Sequence, residues 1–359
     1  MKTMQGMGTG AMRGLAAQLL MALCLPSIGF SAGAAKDDGY YTEPPVYDLR
    51  PKATGEFHVG HVGVTGLVLR GYPGVQLKVA NTTPGTPAAG KFQKGEIVTG
   101  VNGVVLKGHN PFVILGEALT QAEAKDGKLV FDVTSEDGKQ AKKVEVVIPV
   151  LGAYSQTWPL NCAKSKAIIN RLAAYYSKNT SFKNQTGQDK PIEGALACLF
   201  LLSTGDDQYL PAVKARLSQI SERVSSSEHT WYNGYDGVLF CEYYLRTGDA
   251  SVLPVIQALC DDAKERQIYG IGWRHWGRGA NPQYMDGSLL NAAFGPLVMS
   301  LLLAKECPVN VDEATLQGSL KFFYRFAGHG SVAYGDYRPE GGICSNGKDG
   351  MAAVIMHLA

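Results

Sequence analysis

The spacing of apolar positions along the chain changes character once. Between residues 57 and 151 apolar and polar residues alternate in short stretches divided by turn residues, and from residue 162 onward apolar residues recur at helical spacing. In the first part Val75-Gln76-Leu77-Lys78-Val79 alternates with period two, which predicts a half-buried strand. Thr83-Pro84-Gly85-Thr86-Pro87 is a turn cluster. A strand over residues 96–101 then runs into Asn102-Gly103, a pair that tolerates the positive φ of a two-residue hairpin. One helix is predicted over residues 113–124, with Val113, Leu115, Ala118, Leu119 and Ala122 available for its buried side. Strands over 128–133 and 144–148 follow, joined at Asp137-Gly138.

The second part contains an internal repeat. Glu193-Gly194-Ala195-Leu196-Ala197-Cys198 aligns with Asp236-Gly237-Val238-Leu239-Phe240-Cys241. Thr204-Gly205-Asp206 aligns with Thr247-Gly248-Asp249, and Leu210-Pro211 with Leu253-Pro254. A constant offset of this size predicts a unit of two helices. Helices starting near Asp-Gly pairs are expected again at Asp286-Gly287 and Asp349-Gly350. Residues 194–202, 238–245 and 288–304 are apolar nearly all round and should be buried. Their partners are one-sided, as Leu210, Val213, Leu217, Ile220 and Val224 show, and as Leu316, Leu320, Phe323 and Ala327 repeat. A membrane span over 288–304 is disfavoured by Asn291, by Pro296 and by its place inside the repeat. The short turns follow the buried helices, whereas the connections into them, residues 229–235, 269–284 and 328–348, are long. All three should therefore open on one side.

Residues 1–34 read as a signal peptide. Lys2 and Arg13 are followed by an apolar stretch over 15–30 and by Ala32-Gly33-Ala34, which predicts export to the periplasm or outside the cell and cleavage near Ala34. The alternative, an uncleaved anchor, is opposed by the short apolar stretch and by Pro26. Residues 35–56 and 152–161 read as linkers. The net charge of +2 carries no basic run, which argues against nucleic acid. Six cysteines remain after the signal: Cys162, Cys198, Cys241, Cys260, Cys307 and Cys344. They are widely spaced, without a Cys-x-x-Cys pair, and so read as small buried side chains rather than zinc ligands. No metal and no cofactor is expected.

Residues 57–151 resemble a PDZ domain of the bacterial type. The resemblance rests on Pro84-Gly85-Thr86-Pro87-Ala88-Ala89-Gly90, then Lys94-Gly95-Glu96-Ile97-Val98, then Val101-Asn102-Gly103, in that order. It implies a small β-sandwich or barrel with one or two helices. Such a fold binds an extended peptide or a protein C-terminus by strand addition beside a helix. The matching loop would be Gly63, Val64, Thr65, Gly66, Leu67 and Val68, with Gly66 approaching a terminal carboxylate and Leu67 lining the pocket for the last side chain. This loop departs from the usual Gly-Leu-Gly-Phe form. PDZ domains of exported chains often accompany proteases, but past the signal peptide Gly-x-Ser-x-Gly, Gly-Asn-Ser-Gly and His-Glu-x-x-His are all missing.

Residues 162–359 resemble the α/α toroids of terpene cyclases, prenyltransferases, thioester domains and many carbohydrate-active enzymes. Glu340-Gly341-Gly342-Ile343 through Asp349-Gly350-Met351-Ala352 carries the likeness. It is a likeness of fold and implies no particular reaction. A solenoid of TPR-like pairs is the competing architecture. Only four inner helices can be counted where a closed ring needs six, so the helical domain is expected to be incomplete at its C-terminus. The whole chain resembles an uncharacterised exported bacterial family in which a PDZ domain precedes such helices.

The expected fold class is therefore multidomain, a PDZ-like β unit followed by all-α hairpins of partial toroid type. Two functions follow. One is an exported peptide- or protein-binding scaffold. The other is a carbohydrate-active enzyme (glycoside hydrolase, lyase or epimerase type) acting on a polysaccharide at the mouth of the helical domain. The mouth would hold Trp231, Tyr232, Tyr235, Trp273, Arg274, His275, Trp276, Arg278, Tyr334, Asp336 and Arg338. Asp236, Asp286, Glu340 and Asp349 are the candidate acid–base residues. The plainer alternative has the acids capping their own helices and the aromatics packing on each other.

Overall fold

The computed structural model describes residues 58–72, 76–107, 111–184, 186–224, 229–275, 289–326, 332–335 and 348–359. The chain divides into two compact units between residues 170 and 171. The division falls within a helix and later than the expected linker over 152–161. The first turns of that helix belong with the sheet because the buried Lys164 pairs with Glu123 at 2.5 Å and stands 4.2 Å from the centre of the Tyr154 ring.

The first unit is an antiparallel sheet of seven strands with one helix. The strands are β1 (His58–His61), β2 (Leu67–Tyr72), β3 (Gln76–Thr82), β4 (Ile97–Val101), β5 (Val104–Val105), β6 (Lys128–Thr134) and β7 (Ala141–Val147). Their order is β1-β2-β3-β4-β6-β7, with β5 paired to β4. Helix α1 (Pro111–Ala124) separates β5 from β6. The predicted hairpin forms at Asn102-Gly103, where φ is 51° and 79°, and the Asn102 side chain accepts the Val130 N–H at 2.8 Å. Alternation sends Leu67, Leu69, Leu77, Val79, Leu129, Phe131 and Val133 inward, where they meet Leu115, Ala118 and Ala122 of α1. The predicted strands and helix are all present with ends moved by a few residues. β1, β2 and β5 were not among the predicted strands.

The second unit is helical. Helix α2 (Ala163–Tyr176) carries the division between the units. Helices α3 (Pro191–Ser203), α4 (Leu210–Val224), α5 (Thr230–Thr247), α6 (Leu253–Arg266), α7 (Asn291–Ala304), α8 (Glu313–Tyr324) and α9 (Lys348–Leu358) follow. The repeat is a structural one. Gly205 and Gly248 adopt φ of 74° and 69°, Asp206 and Asp249 cap the short 3₁₀ turns after them, and α4 and α6 both start at Leu-Pro. Helix α3 packs on α5, α5 on α7 and α7 on α9, while α4, α6 and α8 each pack against this row. Inside the row α7 is buried on nearly every side, as its apolar circumference requires.

Helices α5 and α7 run parallel. A Cβ at Gly234 would stand 2.7 Å from Leu297 N, and one at Gly237 would stand 2.7 Å from Ser300 Cβ, so contacts advance together along both helices. The two glycines allow the close approach. α5 also starts well before the expected 238–245 stretch: residues 230–235, read as a long connection, are its first turns. No described helix is long and apolar enough to cross a membrane.

Candidate functional site

The sheet unit holds a strand between β2 and α1. β1 pairs with β2 in antiparallel register, His58 opposite Gly71, Val59 opposite Arg70, Gly60 opposite Leu69 and His61 opposite Val68. On its other flank β1 meets α1. A Cβ built at Gly60 would fall 2.0 Å from Phe112 Cε1, and one at Gly63 would fall 3.4 Å from Leu119 Cδ1. Val59 is exposed, Gly60 is buried and Val62 is only 2% exposed within the sheet core. The chain thus supplies an extended segment where an added strand would lie, with Gly60 and Val62 turned inward.

This arrangement corrects the expected carboxylate loop. Thr65 N–H donates to Val62 O at 3.2 Å, Gly66 N–H to Gly63 O at 3.3 Å, and Leu67 N–H to the Thr65 hydroxyl oxygen at 3.1 Å. That hydroxyl donates to Val62 O at 2.5 Å, and Val62 N–H closes the hairpin onto Leu67 O at 2.9 Å. The N–H groups of Thr65, Gly66 and Leu67 are therefore spent inside the turn. Leu67 is wholly buried core rather than a pocket wall, Val68 faces His61 across the β1–β2 ladder, and only Val64 stands exposed. Gly66 has φ +72° and lies against Thr86, whose turn also bonds the loop through Thr83 N–H to Gly66 O and Ala88 N–H to Thr65 O. Phe112 and Gly60, which frame the strand, were missed from the sequence.

In the helical unit the described parts of the long connections lie together at the N-terminal ends of the row helices. Thr230 N–H donates to His275 O and its hydroxyl to Arg274 O at 2.6 Å. Trp231 Nε1 donates to His275 Nδ1 at 2.9 Å, which leaves the imidazole proton on Nε2. Asn291, at the start of α7, donates to Ala333 O and Gly335 O at 2.9 and 2.7 Å. Asp349, in the first turn of α9, accepts Val332 N–H at 2.5 Å. The short turns meet at the opposite end, where Arg246 at the end of α5 bonds Leu202 O and pairs with Asp207 at 2.6 Å.

Several expected mouth residues have other duties. Trp273 is 1% exposed, donates its indole N–H to Ala263 O at 2.8 Å and packs on Phe294, so it is core. Tyr235 is half-buried against the helical core, and burial raises its phenol pKa. Tyr334 has the Lys348 ammonium 5.6 Å from its ring centre. Burial lowers the pKa of His275. Tyr232 stacks on His229 with ring centres 4.3 Å apart. It overlooks a cleft of about 350 Å³ whose other walls include Gln188, Asp189, Lys190 and Glu193. Behind it, the buried Arg216 holds Asp189 at 3.2 Å.

Asp236 sits in the second turn of α5, 1% exposed. Asp349 ties residues 332–335 to α9. One turn before Asp236, the buried Asn233 donates to Asp262 at 2.8 Å, and Arg266 pairs with the same carboxylate at 2.5 Å. This polar link between α5 and α6 was also missed, because neither residue type nor spacing distinguishes it from surface helix positions. Asp286, Glu340, Trp276, Arg278, Asp336, Arg338 and Cys344 lie outside the described residues, as do the expected signal peptide and the linker over 35–56. Cys162, Cys198, Cys241, Cys260 and Cys307 are all buried free thiols. Burial pushes Cys198 and Cys260 up to about 12, whereas hydrogen bonding with Ser165 brings Cys162 down to about 7.

The chain belongs to the family described as "Domain of unknown function (DUF6288)", which matches residues 165–359 and so takes in nearly the whole helical unit. No curated protein and no solved structure matches the chain.

Proposed function

We propose that this is an exported binding or scaffold protein whose PDZ-like sheet unit takes an extended polypeptide segment by strand addition between β2 and α1. The observation that carries the reading is β1 itself. An extended segment is accommodated beside β2, paired through its backbone and covered by Phe112, which is the geometry strand addition requires. The spent donors of the Thr65–Leu67 turn favour an internal segment over a free C-terminus as the ligand. In the parent chain β1, tethered by a short turn, competes at high effective concentration. Binding is therefore tested on the full chain carrying Gly60→Val and Val62→Asp, which together clash with Phe112 and place a charge in the core. A labelled peptide of residues 57–62, Phe-His-Val-Gly-His-Val, should bind this variant saturably and the parent far more weakly. A folded variant that takes up no peptide would overturn the reading.

The cleft beside Tyr232 favours a second reading, a carbohydrate-active site in the toroid-like helical unit. A stiffened aromatic face next to Asp189, Glu193 and Gln188 suits a sugar ring bearing several hydroxyl groups. Polysaccharide fragments should bind the parent chain and lose affinity on Tyr232→Ala; no binding to either protein counts against it.

A further inference from the structure

We infer that the β2–α1 groove selects its ligand by two inward positions, and accepts segments of the form Gly-x-Val, with a glycine beneath Phe112 and an aliphatic side chain two residues later. The inference rests on the reading of that groove as the binding site and adds what the ligand must be.

Three features of the groove impose the pattern. First, side chains of a paired strand alternate between two faces, so positions two apart share one environment. In β1 the exposed Val59 and His61 face away and Gly60 is buried, and Val62, the residue just past the strand, is buried as well. Second, the inward position opposite Leu69 has room for a side chain only if the Phe112 ring moves away. A Cβ there would stand 2.0, 2.3 and 2.8 Å from three atoms of the Phe112 ring, all far inside van der Waals contact. Phe112 is packed on the sheet core beside Ile114 and Leu119, so swinging it aside would uncover that core. Third, the next inward position is part of the core. Val62 is 2% exposed and clusters with Leu67, Leu69 and Leu115, so an incoming segment without an aliphatic group there would leave a cavity, and one with a charge would bury it. The outward positions, by contrast, are free to vary, since nothing but solvent has to be satisfied at Val59 and His61.

The chain's own residues 58–62 satisfy both conditions, which makes them a built-in copy of the preferred ligand. A partner would carry the same pattern in an extended or loosely ordered stretch, and β1 would have to leave before it could dock.

The test is a peptide series on the full chain with Gly60→Val and Val62→Asp. Phe-His-Val-Gly-His-Val should bind. Replacement of its glycine by alanine should weaken binding about tenfold or more, the size expected of overpacking. Replacement of its last valine by aspartate should abolish saturation, and changes at the outward valine or second histidine should alter affinity little. Glycine-free peptides binding as well as the parent peptide would overturn the selection rule while leaving the groove as the binding site. Absence of binding by every peptide would overturn both. Should the double variant fail to fold, Gly60→Ala in the otherwise native chain supplies the same information. It should lower the unfolding midpoint in the native background and cost much less alongside Phe112→Ala. An equal cost in both backgrounds would overturn the role of Phe112.

Discussion

Gly234 of α5 lies so close to α7 that a Cβ on it would reach 2.7 Å from the amide nitrogen of Leu297 and 3.0 Å from Pro296. Backbone cannot yield as a flexible side chain can. Gly234→Ala should therefore destabilise the helical unit by about 1–3 kcal/mol, despite alanine's better helix propensity. Gly116 in α1 is the internal control. It is exposed with nothing within 4 Å of a Cβ, so Gly116→Ala should stabilise by about 0.5–1 kcal/mol. Urea unfolding of both variants checks the opposite signs, and two changes of the same sign would contradict the close α5–α7 packing.

The cap of α8 predicts an acid transition. Asp312 accepts the Thr315 N–H at 2.9 Å and pairs with Lys264 of α6 at 2.7 Å. The Lys264 ammonium, then the Thr315 bonds, hold its carboxyl down to about 2, against 3.8 for a free side chain. A depressed carboxylate stabilises the fold above its unfolded pKa and loses that contribution as pH falls through the folded value. Asp312→Asn should lower the unfolding midpoint at pH 7 and flatten the loss seen between about pH 4 and pH 2. An unchanged midpoint at pH 7 would show that the cap contributes nothing.

His275 predicts a second pH dependence of the same sense, at a higher pH. Burial lowers its pKa from 6.5, so the unfolded chain takes up the proton first as pH falls. Its contribution is intact above about pH 6.5 and drains away below it. Protonation at Nδ1 also ends acceptance from Trp231. His275→Gln, which keeps an acceptor for the indole, should reduce the difference in urea midpoint between pH 7.5 and pH 5. Indole fluorescence in the parent should change over the same interval. Identical slopes in parent and variant would remove His275 from the account.

Much of the fold was legible in the sequence because its signals are local. Asn102-Gly103 specifies its own turn, and Thr-Gly-Asp followed by Leu-Pro specifies a helix end, a cap and a helix start twice over. The errors came where a local signal has a tertiary use. Residues 230–235 read as a connection and are instead the first turns of α5, with Gly234 at a helix contact. Trp273 read as a mouth aromatic because sequence cannot show that its indole N–H finds Ala263 O inside the core. The turn over residues 63–66 displayed its glycines but not where its N–H groups are spent. β1 escaped notice because four residues with one glycine and two histidines carry little propensity of their own, and β2 and Phe112 define them. The cleft's Asp189 and Arg216 lie 27 positions apart on different elements, and no periodicity connects them.

The most direct measurement is amide hydrogen exchange along β2 in the full chain. The amides of residues 67–72 that face β1 should be protected in the parent, lose protection when Gly60→Val and Val62→Asp release β1, and regain it when the peptide of residues 57–62 is added, while those that face β3 stay protected throughout. Protection of the β1-facing amides that survives the release, or that the peptide does not restore in a variant whose other strands stay protected, would contradict the claim that this groove takes an added strand.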